Sequence, residues 1–206
     1  MLLRIHPIDP EPRKVAQAVD LLNAGEVLIC PTDTVYAFIC SAHQPKAIEL
    51  VARLKKAKPQ KVDLSLICSS LAQLSTYARA VDTSTFRMLK RALPGPYTFI
   101  LPASSEIPKL FKNNKRTVGI RVPDHAVPLA IVEALCHALV VASVHDPDEL
   151  LDHSTDPEAM HDRLGHQLGA VIDSGTGGIE GSTVIDLSQG GPQLVRQGKG
   201  SVEGLF

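Results

Sequence analysis

Eight residues, PTDTVYAF at 31–38, follow directly on the apolar run Val27–Cys30. They place three hydroxyls and a carboxylate where a buried strand would end. Further polar groups stand at other strand ends: Thr98, Arg121, Ser143, and the glycine-rich DSGTGGIEGST that closes at Thr183. Between Arg53 and Lys61, RLKKAKPQK carries five basic side chains and no acid. Hydroxyls and cations at the ends of strands are the equipment of an anion-binding pocket in an open α/β sheet. Each also has a plainer reading. The basic run is more often a solvated surface, the hydroxyls are turn or strand-end groups, and Arg121 or Arg196 is a surface ion-pair partner. Gly175, Gly177, Gly178 and Gly181 either build a turn or admit a ligand closely; they match neither the GxGxxG nor the GxxxxGK[ST] fingerprint.

Other chemistries find less support. The stretch 145–166, HDPDELLDHSTDPEAMHDRLGH, holds four histidines among acids but no HExxH, and His161 and His166 fall on different faces of a helix. It reads as a solvated loop and helix face, and no resident metal site is predicted. No GxSxG elbow and no cysteine nucleophile is evident. The residues therefore suggest an anion pocket without a covalent nucleophile.

The elements that must position these groups alternate along the chain. Leu2–His6, Val27–Cys30, Tyr36–Cys40, Leu64–Cys68, Tyr97–Leu101, Thr117–Val122, Leu139–Ser143, Ala170–Asp173, Thr183–Leu187 and Gln193–Arg196 read as strands. Helices are expected over Arg13–Asn23, from Pro45 through Leu54, and over Leu71–Tyr77, Thr83–Arg91, Val127–His137 and Pro157–Leu168. Asp156 is the expected N-cap of the last and Gly25 the C-terminal cap of the first. This order implies an α/β architecture, a single domain over 1–206 with a twisted, mixed or parallel open sheet and helices on its faces.

Composition limits the setting. The chain has 206 residues, 44% hydrophobic, and a net charge of −1, so no global field draws it to nucleic acid. No apolar run approaches the roughly 20 residues of a membrane span, and MLLRIHPIDP lacks a secretory signal. A cytoplasmic protein with no membrane contact is expected. All four cysteines end apolar runs and are expected to be buried, reduced thiols.

Five motifs then occur in one order: PTDTVY (31–36), K-x-K-P (56–59), PGPYTFIL (94–101), GIRVP (119–123) and GSTVIDL (181–187). Together they closely resemble the YrdC/YciO family over nearly the whole chain. The resemblance implies a twisted α/β sheet with a basic concave cleft. It also implies synthesis of threonylcarbamoyl-adenylate from L-threonine, bicarbonate and ATP, with release of pyrophosphate, for threonylcarbamoyl modification of tRNA. Magnesium would arrive with ATP. By resemblance, Thr34 holds threonine, while Lys56 and Lys58 neutralise phosphate or carboxylate oxygens. Thr98 and Arg121 line the nucleotide and carboxylate region, and Ser143, Ser182 and Arg196 complete the cleft. His145 stands in Ser143-Val144-His145, where the synthases carry S-A-N.

Further departures accompany it. Lys56-Ala57-Lys58 replaces K-x-R and loses a planar two-pronged donor. Ala37 replaces the glycine of PTDTVYG, which would be strained if that backbone needed positive φ. The opening IHPIDPEPR and the altered S-A-N region resemble the YciO branch, and the extra carboxy-terminal domain of longer relatives is not expected. The alternative function is a double-stranded RNA or tRNA binder using Arg53, Lys55, Lys56, Lys58, Lys61 and Arg121 as a basic concavity. A third is an enzyme acting on another amino acid or carbamoyl compound.

Overall fold

The computed structural model describes residues 1–56, 64–107, 116–144 and 154–206. Among them, ten strands form one mixed sheet: β1 (Leu2–Arg4), β2 (Leu28–Cys30), β3 (Ala37–Ser41), β4 (Ser65–Ile67), β5 (Tyr97–Pro102), β6 (Thr117–Arg121), β7 (Leu139–Ser143), β8 (Ala170–Asp173), β9 (Thr183–Asp186) and β10 (Gln193–Arg196). Their spatial order is β1-β8-β2-β3-β7-β4-β6-β5-β9-β10. Neighbours run parallel at β1–β8, β8–β2, β4–β6 and β5–β9, and antiparallel at the other junctions.

Among the described residues, six α-helices pack on this sheet: α1 (Pro12–Asn23), α2 (Pro45–Leu54), α3 (Leu71–Tyr77), α4 (Thr83–Ala92), α5 (Ala126–Leu135) and α6 (Pro157–Leu164). Proline opens α1, α2 and α6, where its missing N–H costs nothing. Ser70, Asp82, His125 and Asp156 cap α3, α4, α5 and α6 by accepting a first-turn backbone N–H. Gly25, with φ of 89°, lies just past the end of α1 as expected.

The strand period of two divides the apolar side chains between two cores. Ile29, Phe38, Cys40, Leu66 and Val140 join α2, α3 and α4 on one face. Leu28, Cys30, Ile39, Ile67 and Val141 join α1 and α5 on the other. The division stops short of the second half of the sheet. Phe99, Leu101, Val118, Ile120 and Ile185 belong to the first core, but no residue of β5, β6 or β9 joins the second. Thr98 and Arg121 therefore face away from the first core, on the side where α1 and α5 cover only the other half. Arg121 pairs across the sheet with Ile67, a member of the second core, which fixes its side.

Two expectations need correction, and one condition is resolved. The helix expected over Pro157–Leu168 ends at Leu164 and continues as a short 3-10 turn, Gly165–Gln167. Gly165 favours the break, being a poor helix former packed against the His161 ring. Cys136 is exposed, whereas Cys30, Cys40 and Cys68 are buried. It takes a left-handed cap conformation, φ 59°, at the end of α5, which turns it out of the core. Ala37 carries no strain: it is the first residue of β3, paired with Cys30 and Ser143, and is not among the positive-φ residues. Among the described residues, no helix is long and apolar enough to cross a membrane.

Candidate functional site

The loop from Pro31 to Tyr36 leaves β2 and returns as β3, yet its main partner lies elsewhere. Arg121, at the end of β6, donates from Nη2 to Asp33 Oδ1 at 2.7 Å and to Thr34 Oγ1 at 2.9 Å. Strands β3, β7 and β4 stand between β2 and β6, so about 19 Å of sheet separates the two. The loop must lie across the sheet to make these contacts. Apart from half-buried Asp33, the other five of its residues are buried, and the Asp33 side chain is itself only 6% exposed.

Within the loop, Thr32 Oγ1 donates to Val35 O at 2.7 Å and accepts the Thr34 N–H at 3.1 Å. The Thr32 and Thr34 hydroxyls are 3.0 Å apart. These local bonds make a tight polar turn. Asp33 Oδ2 accepts the N–H of Asp124, just before α5, at 3.1 Å, so the carboxylate bridges two elements.

The glycine-rich segment presses on the loop from another side. A Cβ at Gly178 would sit 2.2 Å from the Thr34 carbonyl oxygen, and one at Gly177 would strike the Tyr36 ring. At both positions the group that approaches is the chain's own loop, where the sequence offered a turn or a ligand. Tyr36 adds a hydrogen bond, its hydroxyl donating to Gly175 O at 2.7 Å. Beyond Gly175 an open hollow of about 430 Å³ is lined by Arg4, His6, Glu11, Lys14 and Asp173. Its charges satisfy one another, Arg4 with Glu158 and Asp173, Lys14 with Glu11.

Thr98 and Ser182 meet at the β5–β9 junction, hydroxyls 2.8 Å apart and both buried. Arg196 donates from Nη2 to Ser182 O at 3.0 Å. Arg196 is also close enough to Arg121 to disfavour its charge. Burial lowers the Arg121 guanidinium pKa, with the Asp33 carboxylate opposing the shift. Arg121 Nε is buried and has no hydrogen-bond partner among the described residues.

The structure thus brings Thr34, Arg121, Thr98, Ser182 and Arg196 into one polar seam between loop and sheet. Ser143 shares the sheet face of Arg121, since it alternates with Leu139 and Val141 of the second core. It is exposed and stands roughly 13 Å farther along the strand direction, because Arg121 is level with Leu139 through Ile67. Lys56 follows α2 in a left-handed conformation, φ 51°, on the approach to β4. Lys58, Lys61 and His145 lie outside the described residues. Arg121 is only 6% exposed and paired, so it adds nothing to a solvent-facing basic stripe.

The family model for Sua5, YciO and YrdC proteins, described as telomere recombination, matches residues 20–198. The chain belongs to the Sua5/YciO/YrdC family. It is 38% identical to YciO of Escherichia coli over 200 residues, 97% of this chain and 96% of that one. The crystal structure of E. coli YciO matches with a TM-score of 0.91 at 34% identity, covering 100% of this chain and 99% of that one. Threonylcarbamoyl-AMP synthase of Pyrococcus abyssi is 30% identical over 193 residues, 90% of this chain but 54% of the synthase. The structure of P. abyssi Sua5 complexed with L-threonine matches with a TM-score of 0.86 at 26% identity, over 96% of this chain and 57% of that one.

Two residues of this Sua5/YciO/YrdC seam were not singled out from sequence. Asp33 lies inside PTDTVY, and a carboxylate between threonines in a buried loop requires a cation, a signal that was there to read. Lys199 donates to the Asp33 carbonyl at 2.6 Å. Nothing around it in RQGKG announces that contact.

Proposed function

We propose that this chain forms threonylcarbamoyl-adenylate from L-threonine, bicarbonate and MgATP in the cytosol, as a source of the threonylcarbamoyl group for tRNA. The observation that carries this reading is the Thr34 hydroxyl held by Arg121 in a loop laid across the sheet, in a fold shared with a Sua5 structure that contains L-threonine.

The chemistry asks for positioning and charge more than for a nucleophile. The threonine amine adds to bicarbonate with loss of water, giving a carbamate. A carbamate oxygen attacks the α-phosphorus, the bond to the β-phosphate oxygen breaks, and pyrophosphate leaves with the electron pair. Thr34 is suited to hold threonine by a hydroxyl hydrogen bond. The unpartnered Arg121 Nε is a donor that an anionic substrate oxygen would satisfy. Thr98 and Ser182 offer hydroxyls beside it, and Arg196 and Lys56 supply positive charge for the phosphates. Magnesium comes as part of the nucleotide substrate, with its remaining positions filled by water and phosphate oxygens.

The test is pyrophosphate release by the purified protein. Release should require L-threonine and bicarbonate together, and Thr34→Val should abolish the threonine dependence while leaving the protein folded. ATP turnover indifferent to threonine would refute the assignment.

A further inference from the structure

The Asp33–Thr34 peptide is the piece of backbone that aims the Thr34 hydroxyl, and each end of it has a separate partner. Its N–H is taken by Thr32 Oγ1 at 3.1 Å. Its carbonyl, crossing the sheet without a ladder to join, is taken by Lys199 Nζ at 2.6 Å. A backbone acceptor in such a place needs a donor from outside the loop. Arg121 donates instead from Nη2 to the Asp33 carboxylate and the Thr34 hydroxyl.

An exposed lysine contact ordinarily contributes little, because holding a long side chain in one geometry costs entropy. Here the base of the side chain is fixed. The Lys199 N–H donates to Gly181 O at 2.9 Å, and the Gly198 N–H donates to Thr183 Oγ1 at 3.0 Å. The same hydroxyl donates to Gly200 O at 2.6 Å. Both flanking glycines are buried with no room for a side chain: a Cβ would lie 2.3 Å from Gly181 O at Gly198, and 2.4 Å from the Tyr97 ring at Gly200. The chain can hardly shift beneath Lys199, so its ammonium is delivered to one place.

We propose that Lys199 is a positioning residue: by fixing the Asp33–Thr34 peptide it sets where the Thr34 hydroxyl points, and so sets the affinity for the amino acid substrate. This rests on the threonine site proposed above. Lys199 acts through the loop and leaves the nucleotide to other residues.

The experiment is calorimetric titration of wild-type, Lys199→Met and Lys199→Arg protein with L-threonine and, separately, with ATP. Amide hydrogen exchange over residues 31–36 is followed in the ligand-free proteins. Lys199→Met removes the ammonium and keeps the stem on an exposed side chain. It should weaken threonine about five- to tenfold, the worth of one hydrogen bond. ATP affinity should stay within about twofold, and exchange in the loop should accelerate. Lys199→Arg, which can still donate to the carbonyl, should restore threonine binding and loop protection. Unchanged threonine affinity in Lys199→Met, unchanged loop exchange, or an equal loss of ATP would each overturn the proposal while leaving the threonine site intact. A wild-type protein that binds no threonine would overturn both.

Discussion

Arg121 Nη2 and Asp33 Oδ1 stand 2.7 Å apart with both side chains at most 7% exposed, joining residues 88 positions apart in the chain. The pair pins the PTDT loop to the far half of the sheet. Breaking a buried pair from one side leaves the other charge without compensation. Arg121→Met should therefore lower stability by about 3–5 kcal/mol, read as a reduced denaturant midpoint. Adding Asp33→Asn should recover part of the loss, because the stranded charge is gone. A single variant as stable as wild type would show that the loop is held by something else.

Gly178 should not tolerate a side chain. Its Cβ would fall 2.2 Å from the Thr34 carbonyl oxygen, a backbone atom with no flexible end to swing away. Gly178→Ala is expected to cost about 1–3 kcal/mol and to displace the loop, so threonine-dependent pyrophosphate release should fall with it. Gly190→Ala is the comparison. No described residue lies within 4 Å of where its Cβ would be, but φ is 64°, so any loss there reports backbone strain, and threonine dependence should persist.

Stability should also depend on pH through His125. Its Nδ1 accepts the Val127 N–H at 3.2 Å and caps α5, so adding a proton at that nitrogen destroys the cap. Burial lowers its pKa from the ordinary 6.5, against the opposing pull of Asp33 and Asp124. A lowered folded pKa means that the unfolded chain takes the proton first. The contribution is fully present above about pH 6.5 and is lost as pH falls through the folded value. His137 works in the same direction, lowered by burial and then by His43, whose ring stacks on it with centroids 3.9 Å apart. Denaturant midpoints measured from pH 8 downward should decline below about pH 6.5, and His125→Asn should flatten the curve. An unchanged slope in that variant would remove His125 as a cause.

Thiol labelling should separate the cysteines. Cys136 is exposed while Cys30, Cys40 and Cys68 are buried, and burial pushes the Cys40 and Cys68 thiols up to about 12. A thiol-specific reagent should modify one group quickly in the native protein, and all four only after unfolding. Cys136→Ser should abolish the fast phase.

Much of the scaffold is legible in the residues. Strands at Leu139–Ser143, Ala170–Asp173 and Gln193–Arg196 and the helix Leu71–Tyr77 fall where period and caps place them, because those signals are local. The motif resemblance named the same family as the comparisons, because its hydroxyls and cations sit in contiguous stretches. Where Arg121 spends its charge was not legible. The bare reading of it as a surface ion-pair partner has the ion pair but not the place, since its side chain is only 7% exposed.

The sequence by itself determined the order of strands and helices and the short polar segments at their ends, since backbone propensity, capping and apolar period act over a few residues. Tertiary structure alone decided that the PTDT loop crosses the sheet to Arg121, that Gly178 is an abutment for that loop, and that Lys199 holds its carbonyl. The physical reason is that sheet order is not chain order. Strands β2, β6 and β9 become neighbours of one seam only after the crossovers are made, and the partners of a buried charge are chosen there.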